Sequence, residues 1–205
     1  MIQAVVFDFA GVIINRAGWL WLAETFPDLE EKRDFLRDVS NKADRGDMTT
    51  QEFVQIIAEV THTPAKEVWP EIRKRVVVNR DLLAFIDELK KTYRTGLLSN
   101  YVYNWANEIM TDLDLHTYFD HVVISSQVKM IKPDPRIFMK TLALMETAPG
   151  ETIFVDDLQK NIDAACELGI KGVLYTSVHQ LKTDMVPLLQ RTRRGSTDQK
   201  QDQSH

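Results

Sequence analysis

Five short apolar runs, separated by segments of helical periodicity, constrain how this chain folds more than any other feature of it. They are Ile2 to Phe7, Gly96 to Leu98, Val122 to Ile124, Ile153 to Val155 and Gly172 to Tyr175. Each is short, rich in branched residues and bounded by polar or turn-forming residues, as expected of strands covered on both faces. Between them, Leu82, Phe85, Ile86 and Leu89 recur at helix spacing, and so, approximately, do Ile137, Phe138, Leu142 and Leu144. Ile162, Ala165, Cys166 and Gly169 close a further helical pattern. Strand–helix alternation of this kind predicts an α/β fold, a Rossmann-like doubly wound sheet of mostly parallel strands.

Residues 16–78 break the alternation. The segment has no convincing strand and several helical signals. Thr49 followed by Glu52 reads as a capping box, and Phe53, Ile56, Ile57 and Val60 continue it as one apolar stripe. Thr63-Pro64 opens another helix, with proline in its first turn. Trp19, Trp21 and Trp69 fall in the same segment and are expected to form its core; the sharper alternative is that one or two of them line a cleft facing the sheet. The predicted organisation is therefore a core of residues 1–15 and 79–190, an inserted helical cap of residues 16–78, and a polar tail, 191–205, read as disordered.

The chain has 205 residues, enough for one core plus a small inserted module, and a formal net charge of -5. Nothing in that balance calls for nucleic acid or an anionic membrane. No stretch reaches the ~18 consecutive apolar residues of a membrane span. The apolar start, Met1 to Ile14, lacks a leading basic segment and is interrupted by Asp8, so a buried strand is expected in place of a secretory leader. A cytoplasmic protein is the expectation. The single cysteine, Cys166, forms no internal disulfide and is expected to be a buried structural thiol. The sequence does not choose between a monomer and a homodimer.

In parallel α/β sheets, ligands bind beyond the carboxyl ends of the strands. Asp8 follows the first run; Ser99 and Asn100 follow the second; Ser125, Ser126 and then Lys132 follow the third; Asp156 and Asp157 follow the fourth. Three carboxylates form a hard oxygen set of the kind magnesium takes alongside water and phosphate oxygens. A serine hydroxyl donates to a phosphoryl oxygen. A lysine neutralises the transferring group and favours an ionised neighbouring aspartate. Asp8 is thereby placed to attack phosphorus, giving an aspartyl-phosphate that water then hydrolyses.

Four segments together resemble the haloacid dehalogenase superfamily: Val5-Val6-Phe7-Asp8-Phe9-Ala10-Gly11-Val12, Leu97-Leu98-Ser99-Asn100, Ile131-Lys132-Pro133-Asp134-Pro135-Arg136-Ile137-Phe138 and Ile153-Phe154-Val155-Asp156-Asp157. They span about Ile2 to Tyr175. Arg45 to Phe53 is similar to the helical cap inserted after the first motif in one branch of the superfamily. Asp156-Asp157 and the following Leu158 to Ile162 resemble the phosphatase domain of bifunctional epoxide hydrolases and its bacterial relatives. The resemblance implies Asp8 as nucleophile, Ser99, Asn100 and Lys132 at the phosphate, and Mg²⁺ held by Asp8, the backbone carbonyl of Ala10, Asp157 and, directly or indirectly, Asp156.

One position departs from the pattern. The usual phosphatase pattern of this superfamily has a second aspartate two residues after the nucleophile, where it protonates the leaving group and then activates water, although some branches lack it and still hydrolyse phosphate esters. Here that residue is Ala10. Such acid–base help is worth ~10²–10⁴-fold in rate. A slow phosphatase, a substitute acid or base (His62, Asn15 and Tyr101 qualify by type), or lost turnover with ligand or partner binding retained all follow from the change. Dehalogenases also lack that aspartate, but they need no magnesium and no paired acids, so Asp156-Asp157 argues against carbon–halogen chemistry. The expected activity is magnesium-dependent hydrolysis of a small phosphorylated metabolite. The alternatives are an impaired phospho-ligand or partner-binding protein and, behind it, a 2-haloacid dehalogenase.

Overall fold

A computed structural model describes residues 1–190. The chain runs β1 (Ala4–Phe7), α1 (Ala17–Thr25), α2 (Leu29–Arg45), α3 (Thr50–Thr61), α4 (Ala65–Lys74), α5 (Arg80–Lys90), β2 (Arg94–Ser99), α6 (Tyr103–Asp112), β3 (His121–Ile124), α7 (Ser125–Val128), α8 (Pro135–Met145), β4 (Thr152–Asp156), α9 (Gln159–Glu167), β5 (Lys171–Leu174) and α10 (Val178–Gln190). The five strands form one parallel sheet in the order β3-β2-β1-β4-β5. All five expected strands are present, each within a few residues of its apolar run.

Alternate residues of β1 serve two different cores, which is why the run is apolar throughout. Val5 and Phe7 join the cluster built with Leu82, Ile86 and Met110 of α5 and α6, while Ala4 and Val6 join the cluster with Phe138, Met145 and Ile162 of α8 and α9. A third cluster draws on no strand residue. It joins α1 to α4, through Trp21, Leu36, Ile57 and Val68, to Val102 and Trp105 at the start of α6. The Thr49–Glu52 capping box forms as expected: the Thr49 hydroxyl accepts from the Glu52 amide at 3.2 Å, and the Glu52 carboxylate accepts from the Thr49 amide at 2.7 Å. Pro64 stands just ahead of α4 as its N-cap. Trp21 is buried in the helical cluster, whereas Trp69 packs against both it and the sheet.

The expectation for Cys166 is corrected: the thiol is exposed. On α9 the buried positions are Asn161, Ile162 and Ala165. Cys166 follows Ala165 by one residue, about 100° further round the helix, which puts it at the margin of the inward face beside Gly172 of β5. The expected disordered tail, 191–205, lies outside the described residues. No helix among the described residues is long and apolar enough to cross a membrane.

Candidate active site

Strand register assembles the site. Phe7 pairs with Leu97 on one side and Val155 on the other, so β1, β2 and β4 end almost level. Asp8 sits one residue beyond β1, and its amide is held by the Val155 carbonyl at 2.8 Å. Ser99 and Asp156 are the last residues of β2 and β4. Lys132 arrives from the loop between α7 and α8. Its loop is pinned by Asn100, whose side-chain oxygen accepts from the Lys132 amide at 2.8 Å and whose side-chain nitrogen donates to the Lys132 carbonyl at 2.9 Å. Asn100 thus uses both amide atoms to position Lys132.

The Lys132 ammonium is buried at the centre. It lies 2.7 Å from Asp8 Oδ1 and 2.7 Å from Asp156 Oδ2, donates to the Leu98 carbonyl at 2.9 Å, and stands over the Phe154 ring at 5.3 Å. Asp156 is engaged all round: Leu158 N and Asn161 Nδ2 complete its shell at 2.8 and 3.0 Å. Its position suits it to holding Lys132 in place. Asp8 is different. Its Oδ1 takes Lys132 and the Phe9 amide, at 2.7 Å each, while Oδ2 accepts from no protein donor among the described residues. Burial pushes the Asp8 carboxyl up, to about 7, against the pull of Lys132, the largest opposing influence. Burial alone would depress the lysine, but its two carboxylates outweigh that and hold it raised. The arrangement at 2.7 Å is that of an ammonium shared by two carboxylates.

Ser99 Oγ is fully buried beside this cluster and has no hydrogen-bond partner. A buried hydroxyl without an acceptor is costly, and such groups mark sites where a ligand completes the pairing. Asp8, Asp156 and Asp157 each present an oxygen within 4.8 Å of the others. That all-oxygen donor set fits a hard divalent cation such as magnesium. Asp157 carries a feature that the sequence alone does not reveal. Arg16, just ahead of α1, grips it from two nitrogens, with Nη2 at 2.7 and 2.8 Å and Nε at 3.0 Å. The loop between β1 and α1 lies close against the same carboxylate. Gly11 has φ +104°, and a side-chain carbon there would stand 2.1 Å from Asp157 Oδ2, so only glycine fits.

Above the cluster lies a cavity of about 600 Å³, lined by Asp8, Ala10 and Lys132 below and by Arg16, Ser40 and Asp44 on the helical side. Ala10 also lines a smaller adjoining space of about 140 Å³ together with Asn15, Asp44, Asn100 and Tyr101. Of the suggested substitutes for the missing aspartate, His62 is exposed at the end of α3 and borders neither space. Asn15 spends its side chain on the Arg75 carbonyl and the Val77 amide. Tyr101 packs edge-on to Phe9, and burial, with Asp44 adding to it, pushes its phenol well above the usual range. Ser125 and Ser126 are structural: they accept from the amides of Tyr101 at 3.0 Å and Tyr103 at 2.8 Å.

Sequence reasoning missed Asp44. Its carboxyl is pushed up to about 7, first by burial, then by the Asp8 charge, and is eased by Lys132. One signal was available. Asp44 lies in the last turn of α2, which ends at Gly46, and an acid there works against the helix dipole.

An all-parallel sheet with acids, a serine and a lysine converging at the ends of its central strands is the build of an α/β enzyme that handles anions. Residues 5–175 match the haloacid dehalogenase-like hydrolase family, and the chain belongs to it. It is 29% identical over 188 residues to D-ribitol-5-phosphate phosphatase of Bacteroides thetaiotaomicron, covering 83% of this chain and 90% of that protein. It is 25% identical over 203 residues to bifunctional epoxide hydrolase 2 of Rattus norvegicus, covering 84% of this chain and 36% of the hydrolase. Among solved structures it is similar to a haloacid dehalogenase family enzyme of Bacteroides thetaiotaomicron in complex with magnesium and inorganic phosphate. That likeness has a TM-score of 0.74 and 26% identity, over 87% of this chain and 96% of that one.

Proposed function

We propose that the chain is a magnesium-dependent phosphatase acting on a small phosphorylated metabolite of the sugar or polyol class. The observation that carries this reading is the buried Lys132 ammonium between Asp8 and Asp156, beside the unpartnered hydroxyl of Ser99. A lysine buried this deeply, next to a hydroxyl that lacks an acceptor, prepares a pocket for a phosphoryl group. The similarity to a phosphatase of ribitol 5-phosphate supports the substrate class.

In this reading Asp8 Oδ2 attacks phosphorus. The bond from phosphorus to the ester oxygen breaks, and a covalent aspartyl-phosphate forms. Lys132 favours the ionised nucleophile and balances charge on the phosphoryl oxygens, while Ser99 donates to one of them. Water then attacks phosphorus and releases Asp8. Asp8, the Ala10 carbonyl and Asp157 would hold magnesium, with Asp156 in support; the ion supplies positive charge that offsets repulsion between nucleophile and substrate. Residues 16–78 serve as a cap over the cavity, excluding bulk water from the reacting groups.

The test is phosphate release from a panel of phosphorylated sugars, polyols and aryl alcohols, with and without magnesium. Metal-dependent release that is lost in Asp8→Asn is expected. Release that is indifferent to magnesium, or unchanged in Asp8→Asn, overturns the assignment.

A further inference from the structure

We propose that Asp44, carried by the helical segment, is the general acid–base residue of this site and takes the place of the aspartate absent at position 10. The proposal rests on the phosphatase reading above.

The argument is geometric. Ala10 has no side chain that can exchange a proton, yet it borders both spaces beside the cluster. Asp44 borders the same two spaces from the opposite side. Apart from Asp8, it is the only carboxyl lining the larger one among the described residues. The other ionisable groups there are cations. Arginines keep their protons, and Lys160 stands exposed at the rim. Asp44 is also held in place. Its carbonyl accepts the hydroxyl of Ser125, a buried residue. Two residues on, Gly46 (φ +71°) closes α2 so tightly against α7 that a side-chain carbon there would meet the Ser126 carbonyl at 2.5 Å. The end of α2 is thereby locked onto the sheet side of the molecule, and the backbone that carries Asp44 is held at the edge of the space that Asp8 also lines.

Its ionisation fits the task. A carboxyl raised to about 7, chiefly by burial, is protonated often enough to act as an acid and ionised often enough to act as a base. In the first step the ester P–O bond breaks as Asp8 attacks, and Asp44 gives its proton to the departing alcohol oxygen. In the second, Asp44 takes a proton from the water attacking the aspartyl-phosphate, and the bond from phosphorus to Asp8 breaks. Asp44 ends protonated, and the net change is ester plus water to alcohol plus phosphate.

Leaving-group dependence tests the assignment. Wild type and Asp44→Asn are compared on a polyol phosphate and on a nitrophenyl phosphate, whose leaving group departs without a proton. We expect Asp44→Asn to lower kcat on the polyol ester by ~10²–10⁴-fold and on the nitrophenyl ester by less than tenfold. Magnesium affinity and melting temperature, measured alongside, should stay near wild type. Adding Ala10→Asp to Asp44→Asn should recover at least tenfold on the polyol ester. Equal losses on both esters, or no loss on the polyol ester, overturn the role of Asp44 while leaving the phosphatase reading intact. A wild type that releases phosphate from neither ester sinks that reading, and the role of Asp44 with it.

Discussion

Lys132 shows how a site is held together at the scale of single residues. Its ammonium is the only cation recorded between Asp8 and Asp156 among the described residues. Removing one member of a buried charge cluster leaves the others uncompensated, at a cost of about 3–5 kcal/mol. Metal-free Lys132→Met should lose stability on that scale in urea denaturation near pH 7.5. The loss should shrink in acid. Burial already raises the Asp8 carboxyl to about 7 in the wild type, and in the variant, without Lys132 to oppose it, that carboxyl rises further. Above about pH 7 the variant's folded chain therefore keeps a proton that the wild type releases, so its stability goes on falling with pH where that of the wild type levels off. A loss that does not vary with pH would contradict this account. Arg16 makes the opposite prediction. It competes as a cation for Asp157 from a partly exposed position, where such pairs are worth up to about 1 kcal/mol. Arg16→Gln should tighten magnesium binding about two- to five-fold by calorimetry. Asp8, Ser99 and the paired aspartates were legible in the sequence because each ends or follows an apolar run, and Lys132, on the loop between α7 and α8, was legible through the segment Ile131 to Phe138. Arg16 and Asp44 were not, because their partners lie far along the chain: Asp157 for the first, Ser125 for the second.

At the scale of elements, apolar runs marked the strands well and marked their ends less well. β2 begins at Arg94 and Thr95, before its apolar run. Thr95 is buried because its hydroxyl donates to the Tyr118 carbonyl at 2.7 Å and its amide to Asp120 Oδ2 at 2.7 Å. Both partners come from the approach to β3, which a local pattern does not register. The same holds for Cys166, whose face on α9 is set by what the helix packs against. Turn chemistry carries the sharpest element-scale test. Gly46 caps α2 in the left-handed region and touches α7, so Gly46→Ala should cost about 1–3 kcal/mol of stability. Because Asp44 is two residues away, the same change should lower kcat on polyol phosphates more than on nitrophenyl phosphate. Denaturation and the two-substrate comparison read these effects separately. Equal activity loss on both esters would mean that the end of α2 does not orient Asp44.

At the scale of the whole molecule, what matters is how the helices of residues 16–78 are held over the sheet. The strand–helix alternation made the α/β sheet predictable, and the absence of strands set this segment apart. How the two meet was not legible, because the contacts join residues distant in sequence. Two chain crossings are tied to one another, Asn15 to the Arg75 carbonyl and Val77 amide, and the Asn79 amide to the Ile13 carbonyl. Farther out, Trp69 of α4 stacks on Trp105 of α6, with ring centroids 4.5 Å apart and planes at 11°. Around that stack, Trp69 Nε1 donates to Glu108 at 2.9 Å, and Arg73 pairs with Asp112 at 3.0 Å. Trp105 is 8% exposed and also borders the smaller space beside Ala10. Trp105→Ala should therefore cost about 3–5 kcal/mol and loosen the helices over the cavity. The acids that form the oxygen cluster all stand at the ends of β1 and β4, and neither Trp69 nor Trp105 lines the larger space that Asp8 borders. Magnesium affinity of the variant, by calorimetry, should stay within about twofold of wild type, while KM for polyol phosphates rises by about tenfold or more, as expected when about 1.4 kcal/mol of binding is lost. Equal weakening of metal and substrate would show that the stack supports the sheet itself, and that the helices contribute nothing separate to holding the substrate.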